Sequence, residues 1–477
     1  MEGEYLKEQI LARMRYDNPW WFSGNIPDDY HTLRPRLYLD SFYASLIKTD
    51  IRRSVILMGP RRVGKTVMIY HAIERLINDG VNPQKIVYLS IDTPIYNNVR
   101  LEDLFNYARE ILKDTTLGGY YVFYDEIQYL KDWEMHLKSL TDSYRDSRFI
   151  ASGSAAAALK MKSVESGAGR FSDFMLPPLT FNEYIHLLSL DHLIRRKPIV
   201  WNGIEMEAFD TIDIDVLNNH FIDYINYGGY PEITLSQLMR TNPGQYIRSD
   251  IVDKVLLRDL PSLYGIQDIQ ELNRLFVHIA YRSGSQFSYE SLSKESNIKK
   301  EVLKRYLMYL EAAFLIKSVH KIDVCAKKMQ RVSTFKIYLT NPALRCALFS
   351  PLKEGDGALG DMVETAIYAQ WFQRNSELFY ANWKQGKKEG EVDIVHLDSV
   401  KLKPKWLVEI KWSDRYFEKP SDLISLDTFM EKNGIRNAVV TSKSVSGINE
   451  INGHKLLFMP SALYCYLVGH RTIYNPL

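Results

Sequence analysis

The chain has 477 residues, 46% hydrophobic and 25% charged, an ordinary globular composition that excludes a single small scaffold and fits about three domains. Sixty basic residues against 58 acidic ones leave a net charge of +2, which excludes a general polyanion binder and confines any nucleic-acid contact to local basic faces. No apolar run reaches the roughly 20 residues of a membrane-spanning helix, and the acidic start Met1-Glu-Gly-Glu-Tyr5 is unlike a signal peptide, so a cytoplasmic protein without membrane contact is expected.

Up to about residue 190, short apolar runs such as Ser54–Met58, Lys85–Ile91, Tyr120–Tyr124 and Arg148–Ala151 alternate with helical stretches. That alternation predicts an α/β domain with a parallel sheet. Directly after the first run comes Gly59-Pro60-Arg61-Arg62-Val63-Gly64-Lys65-Thr66, the G-x-x-x-x-G-K-[ST] pattern, leading into a helical stretch over Val67–Asn78. Glycines at both ends let the loop backbone aim its N–H groups at phosphate oxygens, with the helix N-terminus behind them. Lys65 would bridge the terminal phosphates, and Thr66 would place its hydroxyl on Mg²⁺. The run Tyr120–Tyr124 ends in Asp125-Glu126, where Asp125 would hold Mg²⁺ and Glu126 would polarise the attacking water. A further strand ends at Ser152-Gly153-Ser154, where the Ser152 hydroxyl can sense the terminal phosphate. Arg170 either offsets charge on the transferring phosphoryl group or pairs with an acid such as Asp173.

These blocks, with Asp125-Glu-Ile-Gln128, Gly169-Arg170, Leu176-Pro-Pro-Leu-Thr-Phe-Asn-Glu183 and Tyr227-Gly-Gly-Tyr-Pro-Glu232, resemble the prokaryotic AAA-type ATPases (AAA_14-like) that carry a C-terminal domain of the DUF4143 group. The resemblance spans most of the chain. It implies ATP as the nucleotide, and many such ATPases act between neighbouring subunits, so a homo-oligomer is one expectation. Ser152 stands where that family usually has Thr, which keeps the hydroxyl.

Residues 191–339 read as a mostly helical second domain. Within it, residues 282–331 hold eleven Lys or Arg against five acids. A short helix capped by Ser288, a turn at Asn297, a longer helix over Lys299–Leu315 and an extended Lys317–Ile322 give a winged-helix outline. DNA is then a partner, with Lys299, Lys300, Lys304 and Arg305 on the second helix reaching phosphates or bases. The alternative is a solvated helix face in a module for packing or dimerisation.

Residues 340–477 return to strands. Glu364 lies on an opening helix over Leu359–Trp371, Asp393 in Glu391–Val395, and Glu409 with Lys411 in Trp406–Trp412. Alternate strand residues share a face, so Glu409 and Lys411 point together while Val408, Ile410 and Trp412 pack the other way. Three carboxylates of this kind can hold Mg²⁺ against a scissile phosphate, with Lys411 orienting the attacking water. The order of elements through Thr441 resembles the PD-(D/E)xK nuclease fold of many restriction enzymes, with Glu391-Val392 before the aspartate in place of the usual Pro. The competing reading is a Glu409–Lys411 pair on a solvent-exposed edge. Cys325, Cys346 and Cys465 lack the spacing of a zinc site or disulfide framework and are expected as buried, inert thiols.

Overall fold

The computed structural model describes residues 2–48, 52–97, 99–116, 118–153, 169–201, 203–327, 334–372, 377–385, 388–398 and 400–474. Ser154, Lys387 and residues 328–331 of the basic stretch lie outside them. The chain separates into two units, Met1–Pro177 and Pro178–Leu477, so the first boundary falls before the expected residue 190.

The first unit opens with helices α1 (Glu2–Asp17) and α2 (Leu39–Ile47). Strand β1 (Ser54–Met58) leads through the glycine-bearing loop into α3 (Lys65–Asn78). Then follow β2 (Ile86–Ser90), α4 (Leu101–Leu112), β3 (Tyr121–Asp125), α5 (Trp133–Ser143), β4 (Arg148–Gly153) and β5 (Phe171–Met175). All five strands are parallel in the order β2-β3-β4-β1-β5. β1 is buried along its whole length, as expected of a parallel strand covered on both faces. The chain steps from β1 to the far edge at β2, returns through β3 and β4, and passes β1 again to reach β5. The crevice at the carboxyl end of β1 is therefore the switch point where such sheets take ligands. β5 was not expected from the sequence. The free edge of β2 is capped by side chains: Asn18 donates to the Tyr88 carbonyl and accepts from its N–H, and both Trp20 and Trp21 donate to the Ile86 carbonyl.

The second unit begins with α6 (Phe181–Leu187), started by a capping box between Thr180 and Glu183. Short antiparallel pairs β6 (Ile194–Arg196) with β9 (Phe209–Thr211), and β7 (Ile199–Trp201) with β8 (Ile204–Met206), interrupt a region expected to be helical. After α7 (Ile214–Tyr227) and α8 (Ile269–Tyr281) come β10 (Gln286–Ser288), α9 (Tyr289–Ser296), α10 (Lys300–Ala312), β11 (Ile316–Ile322) and β12 (Thr334–Leu339). Ser288 caps α9, and Asn297 makes the turn in the left-handed region at φ 58°. The remainder runs α11 (Leu359–Trp371), β13 (Leu378–Gln385), β14 (Lys388–Leu397), β15 (Pro404–Glu409), α12 (Ile424–Asn433), β16 (Asn437–Ser442), β17 (Gly447–Ile451), β18 (His454–Pro460) and α13 (Ser461–Tyr474).

A single nine-stranded sheet joins these elements in the order β10-β12-β11-β13-β14-β15-β16-β18-β17. The expected division at residue 339 is therefore not a structural one, because β11 pairs in parallel with β13 across it. Tyr380, Ile394 and Val408 face α7, α11 and α13 on one side of the sheet. Phe379, Val395, Leu407 and Val440 face α12 on the other, the alternation a strand imposes. Cys346 and Cys465 are buried as expected, whereas Cys325 is exposed.

Candidate functional sites

The loop after β1 is held by the residues around it. Gly59 has the Leu176 carbonyl so close that an added Cβ would stand 2.1 Å from its oxygen, so this position admits only glycine. Arg62 and Gly64 take left-handed backbone at φ 63° and 90°. Val63 is fully buried. The buried Arg36 donates to the Val63 carbonyl at 2.6 Å and to the Pro177 carbonyl at 3.1 Å, fixing the loop to the segment after β5. Lys65 turns its Nζ inward to the Gly59 and Pro60 carbonyls at 3.2 and 3.0 Å.

Thr66 at the start of α3 donates its hydroxyl to Asp125 Oδ2 at 2.7 Å. The Asp125 carboxylate, 1% exposed, also accepts hydroxyls from Tyr88 at 2.9 Å and from Ser152. Burial raises its pKa, with the adjacent Glu126 charge adding to the effect, while the three hydroxyls oppose it. Glu126 adopts left-handed backbone at φ 54°, a conformation that side chains seldom take outside functional turns. Its N–H reaches both Asp125 Oδ1 and Ser152 Oγ, and Gln128 donates to its carboxylate. Thr66, Asp125, Glu126 and Ser152, read from three separate stretches of sequence, are thus brought to one place by the adjacency of β1, β4 and β3. The oxygens of Thr66 and Asp125 fit the hard donor set that Mg²⁺ takes beside phosphates.

Arg170 is not brought there. It precedes β5, and its carbonyl accepts from Ser54 at the start of β1, so it stands at the amino edge of the sheet. The loop lies a strand's length away, about 13 Å for four residue steps. Its partner is Asp142 at 2.7 Å rather than the anticipated Asp173.

The acids of the second unit also gather, in two groups. Lys411 Nζ lies 2.7 Å from Glu409 Oε1, 3.7 Å from Asp393 Oδ2 and 3.2 Å from the Ile410 carbonyl. β15 is an interior strand with Glu409 6% exposed, which rules out the solvent-exposed edge. Asp393 Oδ2 also accepts the Ile410 N–H at 2.7 Å, and Glu409 Oε2 is buried with no hydrogen-bond partner. Glu364 belongs to a second group. Lys336 of β12, 4% exposed, lies 3.0 Å from Glu364 Oε1 and 2.7 Å from Glu391 Oε1, while Tyr338 donates its hydroxyl to Glu364.

The expected ligand triplet of Glu364, Asp393 and Glu409 is therefore corrected. Among the described residues no three His, Cys, Asp or Glu side chains stand together so as to hold a metal ion; Glu364 contacts Lys336 and Tyr338, and the Asp393 charge acts on it without a contact. What fits a divalent cation is smaller: Asp393, Glu409 with its orphaned oxygen, and the Ile410 carbonyl, three oxygens already converging on one ammonium. Burial, with the Asp393 charge next, pushes Glu409 up to about 8, against the pull of Lys411. Burial likewise pushes Glu364 up to about 7 against the pull of Lys336. Burial opposes the charge on both lysines, but the facing carboxylates outweigh it and raise their pKa values.

On α10, Lys299, Lys300, Lys304 and Arg305 are exposed, opposite the buried Leu303, Tyr306, Leu307 and Leu310. Lys300 pairs with Glu290 and Lys304 with Glu301, which offsets the charge of two of these four side chains.

Residues 51–185 match the AAA domain family, and residues 218–354 match DUF8612, a domain of unknown function. The second match takes the place of the DUF4143 group suggested by the motifs. The chain is 24% identical over 363 residues to the uncharacterized protein MJ1544 of Methanocaldococcus jannaschii, covering 74% of this chain and 75% of that protein. It is 21% identical over 412 residues to an uncharacterized protein of Haemophilus influenzae, covering 85% and 92%. Among solved structures it is similar to the Walker-type ATPase PABY2304 of Pyrococcus abyssi, with a TM-score of 0.38 and 14% identity over 67% of this chain and 99% of that one. It is also similar to the ORC2 protein of Aeropyrum pernix, with a TM-score of 0.37 and 14% identity over 65% and 90%. The first unit has the parallel sheet and glycine-bearing loop of a P-loop NTPase-like domain, and most of the stretch that matches the AAA domain family lies within it. Among the described residues no helix is long and apolar enough to cross a membrane.

Proposed function

We propose that this chain is an ATP-hydrolysing switch whose second unit engages DNA. The observation that carries the first part is the contact of Thr66 with Asp125, with Ser152 on the same carboxylate and Glu126 beside it. Lys65 exchanges its loop carbonyls for the terminal phosphates, and the backbone N–H groups of the loop enclose them. Thr66 and Asp125 would hold Mg²⁺, which would supply neutralisation of charge on the phosphoryl oxygens. Glu126, held by Gln128, orients the attacking water. Lys65→Ala is expected to abolish nucleotide binding, and Glu126→Gln to keep binding while slowing turnover. Parental turnover in Glu126→Gln would remove Glu126 from the mechanism.

A second reading concerns phosphodiester cleavage, favoured by the orphaned Glu409 oxygen beside Asp393 and Lys411. The order α11-β13-β14-β15-α12-β16 supports a PD-(D/E)xK-like core. The arrangement of α8, β10, α9, α10, β11 and β12 supports a winged-helix module that presents α10 to DNA. Asp393 and Glu409 would hold the divalent cation, which would supply activation of a water there. Plasmid DNA incubated with Mg²⁺ or Mn²⁺ is expected to be cut by the parent and left intact by Asp393→Ala and Lys411→Ala. Cleavage that survives both changes, or occurs under no condition, favours instead a regulatory ATPase that binds DNA or a protein partner through this unit.

A further inference from the structure

Lys336 is buried in a sheet interior, where an apolar residue would be the cheaper choice. Lys336 and Tyr338 alternate on one face of β12, and both reach Glu364, while Phe335 and Ile337 face the other way. Its side chain is 5% exposed and contacts acids from two different elements, Glu364 of α11 and Glu391 of β14, while the charge of Asp393, which it does not contact, also acts on it. Lys411, by contrast, is 24% exposed and rests on three oxygens, one acid among which keeps an unpaired oxygen. Lys336 is the more enclosed ammonium and Lys411 the more open one.

We infer that Lys336 is a built-in cation that fills the position between Glu364 and Glu391, leaving a single exchangeable divalent-cation position at Asp393 and Glu409. The inference deepens the phosphodiester reading and rests on it. Glu364 then acts as a positioning residue, anchored by Lys336 and Tyr338, and the site works with one divalent cation rather than two.

The test is Mn²⁺ binding to the nucleotide-free full chain, followed by electron paramagnetic resonance and calorimetry. The parent is expected to bind one Mn²⁺ per chain, lost in Asp393→Asn. Lys336→Gln is expected to bind two, and Lys336→Arg, which keeps the charge, one. Two ions on the parent, or one ion on a folded Lys336→Gln protein, overturns the inference while leaving the cation site itself standing. If Lys336→Gln fails to fold by circular dichroism, the parental and Lys336→Arg stoichiometries decide. No Mn²⁺ on the parent overturns the phosphodiester reading and the inference with it.

Discussion

Tyr88 donates its hydroxyl to Asp125 Oδ2 at 2.9 Å, from the strand on the opposite side of β3 to Ser152. The acid that ends β3 is thus gripped from both neighbouring strands and from α3. Tyr88→Phe removes one donor to a buried carboxylate and is expected to cost about 1.5–3 kcal/mol of stability. Nucleotide affinity should stay within about twofold while turnover falls about tenfold, a loss of roughly 1.4 kcal/mol in the transition state. Turnover at the parental rate would show that Thr66 and Ser152 suffice to orient Asp125.

Gly59→Ala is expected to be more damaging than its size suggests. The new methyl would meet the Leu176 carbonyl at 2.1 Å, and that segment is tied to β1 through the bond from Leu176 N–H to the Met58 carbonyl. Neither backbone can yield cheaply. Equilibrium dialysis with a fluorescent ATP analogue should show binding lost, while Mn²⁺ binding in the second unit persists.

Arg170→Ala removes an exposed pair with Asp142 and should change stability by less than about 1 kcal/mol. Turnover per chain under dilute, monomeric conditions should be unchanged, since this residue lies at the wrong edge of its own sheet. A loss that appears only at high protein concentration would assign Arg170 to the site of a neighbouring copy.

The buried acids predict how stability follows pH. Glu364 and Glu409 keep protons up to about 7 and about 8 in the fold, whereas an unfolded Glu releases its proton near about 4.3. Below that value both states are protonated and the contribution is complete. As pH rises toward 8 the unfolded chain holds fewer protons than the folded one, so stability declines across that window. Urea midpoints at pH 5.5 and 8.5 should differ in that sense, and Glu409→Gln should flatten the slope. An unchanged slope would mean that Glu409 is ionised throughout.

On α10, Lys299→Glu combined with Arg305→Glu should weaken DNA binding across all sequences and reduce its salt dependence, read by fluorescence anisotropy at several salt concentrations. Binding insensitive to both changes would turn the helix into a packing or partner face.

Much of this was legible because it is local. The loop from Gly59 to Thr66, the acids ending β3 and the helix Leu359–Trp371 follow from motif and periodicity, and parallel pairing did the rest. Lys336 was missed because its meaning depends on two acids 28 and 55 positions away on other elements. The only trace was a polar Lys-x-Tyr alternation in an otherwise apolar strand. Tyr88 and Arg36 left no trace: a tyrosine in an apolar strand and an arginine between loop residues look ordinary until their partners are known. The boundary at 339 misled because a change of pattern from helices to strands looks like a domain change, although the backbone bonds of β11 and β13 run straight across it. Arg170 stayed open between two roles because an arginine just after a glycine carries no sign of which end of a strand it occupies, and the structure pairs it with an acid, Asp142.

The pairing of β11 with β13 also decides how the molecule can be dissected. A gene cut between residues 339 and 340 would leave each fragment with a raw strand edge seeking its missing neighbour, the circumstance in which recombinant fragments clump. Expression clones that respect the Pro177–Pro178 junction avoid that fate, and the basic helix α10 and the acid cluster have to be inherited, produced and studied together.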